Sequence, residues 1–142
     1  MVTTRFVILH HRERSGEHWD LMIEQPESLA TWRLVRLPSP DDPRPIPAER
    51  LPDHRKVYLT YEGPVSGDRG EVTRVDEGGC EILTRTDAEW RVHFEGACLG
   101  GLRIIHRLPA SAPADGGCGA EAWELSAMAH AATQSPPRTA PD

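Results

Sequence analysis

Two adjacent histidines, His10 and His11, precede a His18-x-Asp20 pair by a short link. Imidazole nitrogens and a carboxylate are donors that hold a divalent transition metal, and a set of three leaves coordination positions open for water or substrate. Side chains two apart on a strand share a face, so His18 and Asp20 project together. The link Arg12 to Glu17 contains Ser15-Gly16 and is short enough for a hairpin that brings His11 beside His18. The tripeptide His-x-Asp is also common on solvated strand faces. Periodicity does not decide between His10 and His11, because Phe6/Ile8 and Val7/Leu9 are both apolar pairs.

A second group lies further on: Asp53-His54, then Tyr58, Tyr61, Glu62 and Gly63. A histidine and a tyrosine four apart could serve as an acid/base and a donor to phosphate oxygens. Taken alone, they also fit a loop histidine and a core tyrosine. Arginines 12, 14, 36, 55 and 103 offer guanidinium groups to phosphate oxygens, although most arginines are ordinary surface charges. His93 alternates with core residues and is expected to face solvent, His106 sits in an apolar strand, and His130 falls in the C-terminal tail.

The elements that must position these groups read as strands. Arg5–His11 is a short run of β-formers. In His18–Glu24, Trp19, Leu21 and Ile23 alternate with His18, Asp20, Met22 and Glu24. Leu29–Arg36, Lys56–Tyr61, Glu71–Val75, Cys80–Thr84, Glu89–Glu95 and Leu102–Leu108 complete the set. Glu77-Gly78-Gly79 reads as a hairpin turn, with further breaks at Ser66-Gly67-Asp68 and Gly100-Gly101. The proline-rich stretch Leu37–Pro52 reads as a long surface loop. About eight short strands imply an all-β fold, a small antiparallel barrel or sandwich. Trp123 and Leu125 alternate with polar neighbours and could add a last strand, although Ala120–Ala132 reads nearly as well as a helix. One domain over residues 1–127 is expected, with residues 128–142 a disordered tail rich in proline and small polar residues.

Composition narrows the classes. A net charge of −6 argues against tight non-specific binding to duplex nucleic acid. It leaves room for an enzyme that touches one strand end through a local positive pocket. The three cysteines have no clip spacing and read as reduced thiols. No apolar run is long enough for a membrane helix and the N-terminus lacks a signal-peptide pattern, so the cytoplasm is the expected compartment and no membrane partner is expected.

The two groups are joined by a resemblance. The run FVILHHRERSGEHWDLMIE resembles the signature of the 3′-phosphoesterase domain of bacterial DNA ligase D, in which a strand ends in His and His-aromatic-Asp-hydrophobic-Arg-Leu-Glu follows a short link. PDHRKVYLTYEG is similar to that family's Asp-His-Pro-x-x-Tyr-x-x-aromatic-Glu-Gly, and HFEGACLGGLRIIHRL to its closing Gly-x-x-Leu-x-Gly stretch. Trp123-Glu124-Leu125 is similar to its final strand, so the resemblance spans residues 5–127.

The resemblance implies a small β-barrel with a polar groove and a divalent metal, typically manganese, held by His11, His18 and Asp20. Zinc or another transition metal would suit the same donors. It implies phosphate contacts from His54 and Tyr58, and from a basic residue eighteen positions before the histidine, which is Arg36. It further implies removal of a terminal ribonucleoside and then a 3′-phosphate from a primer strand in DNA repair. The expected partner is the 3′ end of a primer-template, with ligase, polymerase or other repair proteins as candidate associates of a stand-alone monomer. One departure stands out. The family's arginine two residues after the aspartate is Met22, and loss of such a phosphate clamp costs about 10²–10³-fold in rate. Arg12, Arg14 or Arg36 could compensate. The alternative is a catalytically weakened metal-binding module that docks nucleic-acid ends or a repair partner.

Overall fold

The computed structural model describes residues 2–42, 44–65, 67, 69–109 and 121–127. Among the described residues nine strands follow in chain order: β1 (Val2–Glu13), β2 (Gly16–Glu24), β3 (Leu29–Leu34), β4 (Ile46–His54), β5 (Gly63–Pro64), β6 (Glu71–Arg85), β7 (Glu89–Glu95), β8 (Gly100–Arg107) and β9 (Glu121–Ala127). All pairings are antiparallel, in the order β1-β2-β3-β4-β9-β8-β7-β6. A further β1–β6 pairing, from Val2↔Ile82 to Arg12↔Glu71, closes these eight into a barrel. Closure pairs each of these eight strands on both sides. The two-residue β5 lies on β6 outside the ring. The expected tail, residues 128–142, lies outside the described residues, as do Cys118 and His130.

The barrel interior follows from the period of two. Phe6 and Ile8 of β1, Leu21 and Ile23 of β2, and Trp32 and Leu34 of β3 point inward. They meet Trp90, Val92 and Phe94 of β7, Ile105 of β8, and Trp123 and Leu125 of β9. Trp32 packs edge-on against Trp90 and Trp123, with ring centroids 5.0 and 5.8 Å away. The Arg50 guanidinium lies 4.6 Å from the Trp32 ring centroid, where the ring face attracts a cation.

Four expectations need correction. The proline-rich loop ends earlier than Pro52, because Ile46–His54 forms β4 between β3 and β9. Ile46 and Ala48 turn into the core, which a loop reading did not anticipate. Pro47 sits at the strand's second residue, where its carbonyl accepts from Val35 N at 3.3 Å, and Pro52 falls in an irregularity of the β3–β4 register. Lys56–Leu59 is a 3-10 turn rather than a strand, closed by Tyr58 N to Arg55 O and Thr60 N to Val57 O. The two expected strands on either side of Glu77-Gly78-Gly79 are one strand, β6. Gly78 serves close approach instead of turning: a Cβ there would lie 2.5 Å from the Glu95 carbonyl oxygen. Gly100-Gly101 opens β8, and the break before it falls at residues 96–99. Residues 121–127 are a strand, which settles the strand-or-helix ambiguity there.

Candidate metal centre and cleft

The β1–β2 hairpin places the three candidate ligands. Its register sets His11 opposite His18, with Leu9 opposite Asp20 and Val7 opposite Met22. Val7 and Leu9 lie outside the barrel in a second apolar cluster with Met22, Leu29, Leu59 and Val72. His11 continues that outward row. His10 belongs to the other row: it stacks on Trp19 at 4.9 Å and contacts Glu17 Oε1 at 2.7 Å. The outward row therefore selects His11.

His11, His18 and Asp20 each offer a ligand atom within 4.8 Å of the other two. His11 Nδ1 lies 3.9 Å from Asp20 Oδ2, and His18 Nε2 lies 3.5 Å from Asp20 Oδ1. His11 Nε2 is 2.7 Å from the Arg69 carbonyl oxygen. A carbonyl only accepts, so Nε2 carries the proton and the Nδ1 lone pair faces the aspartate. This outer contact fixes the tautomer that a metal ligand needs. The loop that delivers it depends on Gly70, whose φ is +83° and where a Cβ would lie 1.9 Å from the Arg12 carbonyl oxygen.

Asp20 and His18 are buried, yet among the described residues Asp20 Oδ1 and His18 Nε2 have no hydrogen-bond partner. Buried polar atoms without partners are costly unless something binds them. Two such atoms aimed at one another's neighbourhood, beside a lone pair on His11, form a donor set suited to a divalent cation.

The cluster opens into a cleft of about 420 Å³. His54 and Tyr58 line it with His11, Asp20 and Met22, so the fold brings the two sequence groups together. His54 ends β4, and Tyr58 lies in the 3-10 turn that roofs the outer cluster. Their rings meet edge-on at 5.9 Å. His54 Nδ1 donates to the Pro52 carbonyl at 3.0 Å, which leaves Nε2 as the free acceptor or, when protonated, a second donor. Asp53 holds the end of β4 by accepting from Gln25 Nε2 at 3.0 Å and Ser28 Oγ at 2.8 Å. Glu24 holds the roof: it receives Arg5 Nε at 2.9 Å and Lys56 Nζ at 3.0 Å. Those bonds lower its carboxyl to about 2.

Arg36 is not brought to the cleft. Its Nη2 donates to the Arg44 and Pro45 carbonyls at 3.3 and 3.0 Å, and its Nε faces Asp42. Arg12 is tied to Glu71 at 2.9 Å. The arginine beside the triad is Arg33, which the motif comparison passed over. It pairs with Asp20 across β2–β3, and its Nε lies 3.8 Å from Asp20 Oδ1. Reflecting Asp20 across the Gln25–Ser28 turn would have found it. Arg55 and Arg69 also line the cleft.

Other groups lie outside the cleft lining. Asp76 accepts from the backbone N–H of Ala97, Cys98 and Leu99 at 2.9, 3.1 and 2.7 Å, pinning the β7–β8 turn. Among the described residues Cys80 and Cys98 form no disulfide, and burial raises Cys80 to about 12. His93 is exposed, and His106 sits 3.2 Å from Glu124 Oε1.

No curated protein matches the chain in sequence. A family profile does: the DNA Ligase D 3′-phosphoesterase domain matches residues 9–107, a span that holds His11, His18, Asp20, Arg33, His54 and Tyr58. With the match covering most of the chain and the barrel closed around it, the protein belongs to the DNA ligase D 3′-phosphoesterase domain family.

Proposed function

We propose that the chain is a divalent-metal-dependent phosphoesterase that processes 3′ ends of nucleic acid in DNA repair, removing a terminal ribonucleoside or a 3′-phosphate. One observation carries the reading: among the described residues His18 Nε2 and Asp20 Oδ1 have no partner and lie beside His11, and His11 and Asp20 line the cleft that also presents His54 and Tyr58. His11, His18 and Asp20 would hold the ion, with manganese the first choice and zinc or another transition metal compatible with the donors. When bound, the ion supplies Lewis-acid polarisation of a phosphoryl oxygen. His54 Nε2, with its Nδ1 proton committed to Pro52, would move a proton to or from a cleft-bound ester oxygen. The Tyr58 hydroxyl would orient a non-bridging oxygen, and water is the proposed nucleophile.

The substrate is proposed to be the 3′ end of a primer-template, bound by a monomer in the cytoplasm. Among the described residues no helix is long and apolar enough to cross a membrane. A second reading, a metal-binding module that docks ends without turnover, rests on Met22: it is 1% exposed in the apolar floor and offers no donor.

A manganese-supplemented assay on a 3′-phosphate primer-template separates the two. Phosphate release that disappears in His18→Ala supports the enzyme. Manganese binding without turnover supports the module, and a protein that binds no divalent ion refutes both.

A further inference from the structure

We propose that Arg33 is the residue that grips the substrate's phosphate oxygens in this chain; the inference rests on the phosphoesterase reading and names a contact within the same cleft. The guanidinium arrives from β3, directly across the ladder from Asp20, on the outward row that also carries Leu29 and Thr31. It lines the same cleft as His54 and Tyr58. Two carboxylates flank it in the sheet, Asp20 on β2 and Glu49 on β4, and its ion pair goes to Asp20 at 3.8 Å. That separation is too long for a hydrogen bond.

Arg33 Nε is buried without a hydrogen-bond partner among the described residues, while the side chain as a whole is 37% exposed. The buried edge of the fork is thus an unspent donor, on a side chain that lines the cleft. A planar guanidinium in that state matches the geometry of two phosphate oxygens. An Arg33 that served only as counter-ion to Asp20 would close on it at hydrogen-bonding distance. Once a cation sits on Asp20, the counter-ion role becomes repulsive, and a phosphate beside that cation is the group that satisfies both positive charges. Met22, two residues from Asp20 on the same row, cannot share the task.

The test compares wild type, Arg33→Ala and Arg33→Lys in two titrations: manganese binding by electron paramagnetic resonance, and inorganic phosphate binding by calorimetry on the manganese-loaded protein. Arg33→Ala is expected to weaken phosphate binding by roughly 10–100-fold, the range for a charge-assisted contact. Its manganese affinity is expected to hold or tighten, because a neighbouring positive charge is gone. Arg33→Lys, which keeps the charge and loses the fork, should recover part of the phosphate affinity. On a 3′-phosphate primer the Ala variant should lose in kcat/KM with its thermal midpoint retained.

Phosphate affinity within twofold of wild type overturns the proposal. So does parallel loss of manganese and phosphate, which would make Arg33 a positioning residue for Asp20. If wild type binds no manganese, the metal-dependent reading fails by itself. The phosphate comparison on the metal-free protein then decides Arg33 separately.

Discussion

The inner and outer faces of the β1–β2 hairpin are both buried, yet they handle polarity in opposite ways. Inward, Phe6, Ile8, Leu21 and Ile23 join a continuous apolar core. Outward, the row begins apolar with Val7, Leu9 and Met22 and ends in His11, His18 and Asp20. The inner face is sealed by the barrel itself. The outer face must be roofed by a separate segment, the 3-10 turn with Tyr58 and Leu59, and part of it stays open as the cleft. The difference teaches where function can sit in a small closed barrel. The interior is packed around Trp32, Trp90 and Trp123, and the candidate ligands and the cleft lie on the outside of two strands that this core holds.

Cutting each face separately should give the largest contrast. Trp32→Ala removes the tryptophan that contacts both other rings and is expected to cost about 3–5 kcal/mol of unfolding free energy. His18→Ala removes a buried imidazole whose Nε2 has no partner, so its lost packing is partly offset, and stability should change by about 1 kcal/mol or less. Its effect falls instead on manganese affinity, expected to drop roughly 10²–10³-fold as one of three ligands is lost. Urea unfolding paired with metal titration reads both quantities. Loss of stability in His18→Ala equal to that in Trp32→Ala would contradict the division between the faces.

That division was partly legible from residue order. The strict alternation of His18–Glu24 places Asp20 and Met22 on one face and Leu21 on the other, and the short link to His11 implies the hairpin. The choice of His11 over His10 was not legible from pattern, because β1 is buried on both faces and both rows are apolar. Strand β4 was hidden by Pro47 and Pro52, which occupy positions where the ladder tolerates a missing donor. Lys56–Leu59 has strand composition but turns, since burying Leu59 on the outer cluster satisfies it locally. Of the glycines that read as a turn at 78–79, Gly78 permits close contact with the Glu95 backbone inside one continuous strand. Arg36 matched a motif by count, whereas Arg33 reaches the cleft by register, and register is a property of the pairing rather than of the spacing.

A smaller effect should come from the support of the inner face. Asp76 is 6% exposed and accepts three backbone N–H groups from the β7–β8 turn. Asp76→Asn keeps the shape but replaces one charged acceptor oxygen with an NH₂ donor facing those N–H groups. The expected cost is about 1.5–3 kcal/mol, with metal affinity unchanged. Hydrogen exchange at Ala97, Cys98 and Leu99 should accelerate in step. Protection that survives the substitution would mean the turn is held by Leu99 packing alone.

The smallest expected effect tests the tie between the faces, Glu24, which binds Arg5 of β1 and Lys56 at the start of the roof. Its carboxyl is lowered from 4.5 to about 2, first by the Arg5 hydrogen bond and then by Lys56. A lowered carboxyl contributes stability that is fully present above its unfolded-state value and disappears as pH falls toward its folded value. The contribution should therefore be intact above about pH 5 and fade between 4.5 and about 2. Full linkage of that shift corresponds to about 3 kcal/mol. Arg5 is 62% and Lys56 40% exposed, so solvent screens both, and about 1–2 kcal/mol is the expected size. Glu24→Gln should flatten this part of the acid-unfolding profile and lower the neutral-pH stability by that amount. Because the roof carries Tyr58, the variant should also loosen phosphate binding in the cleft while the inner-face tryptophan fluorescence stays native. An unchanged acid profile would show that Glu24 closes neither face.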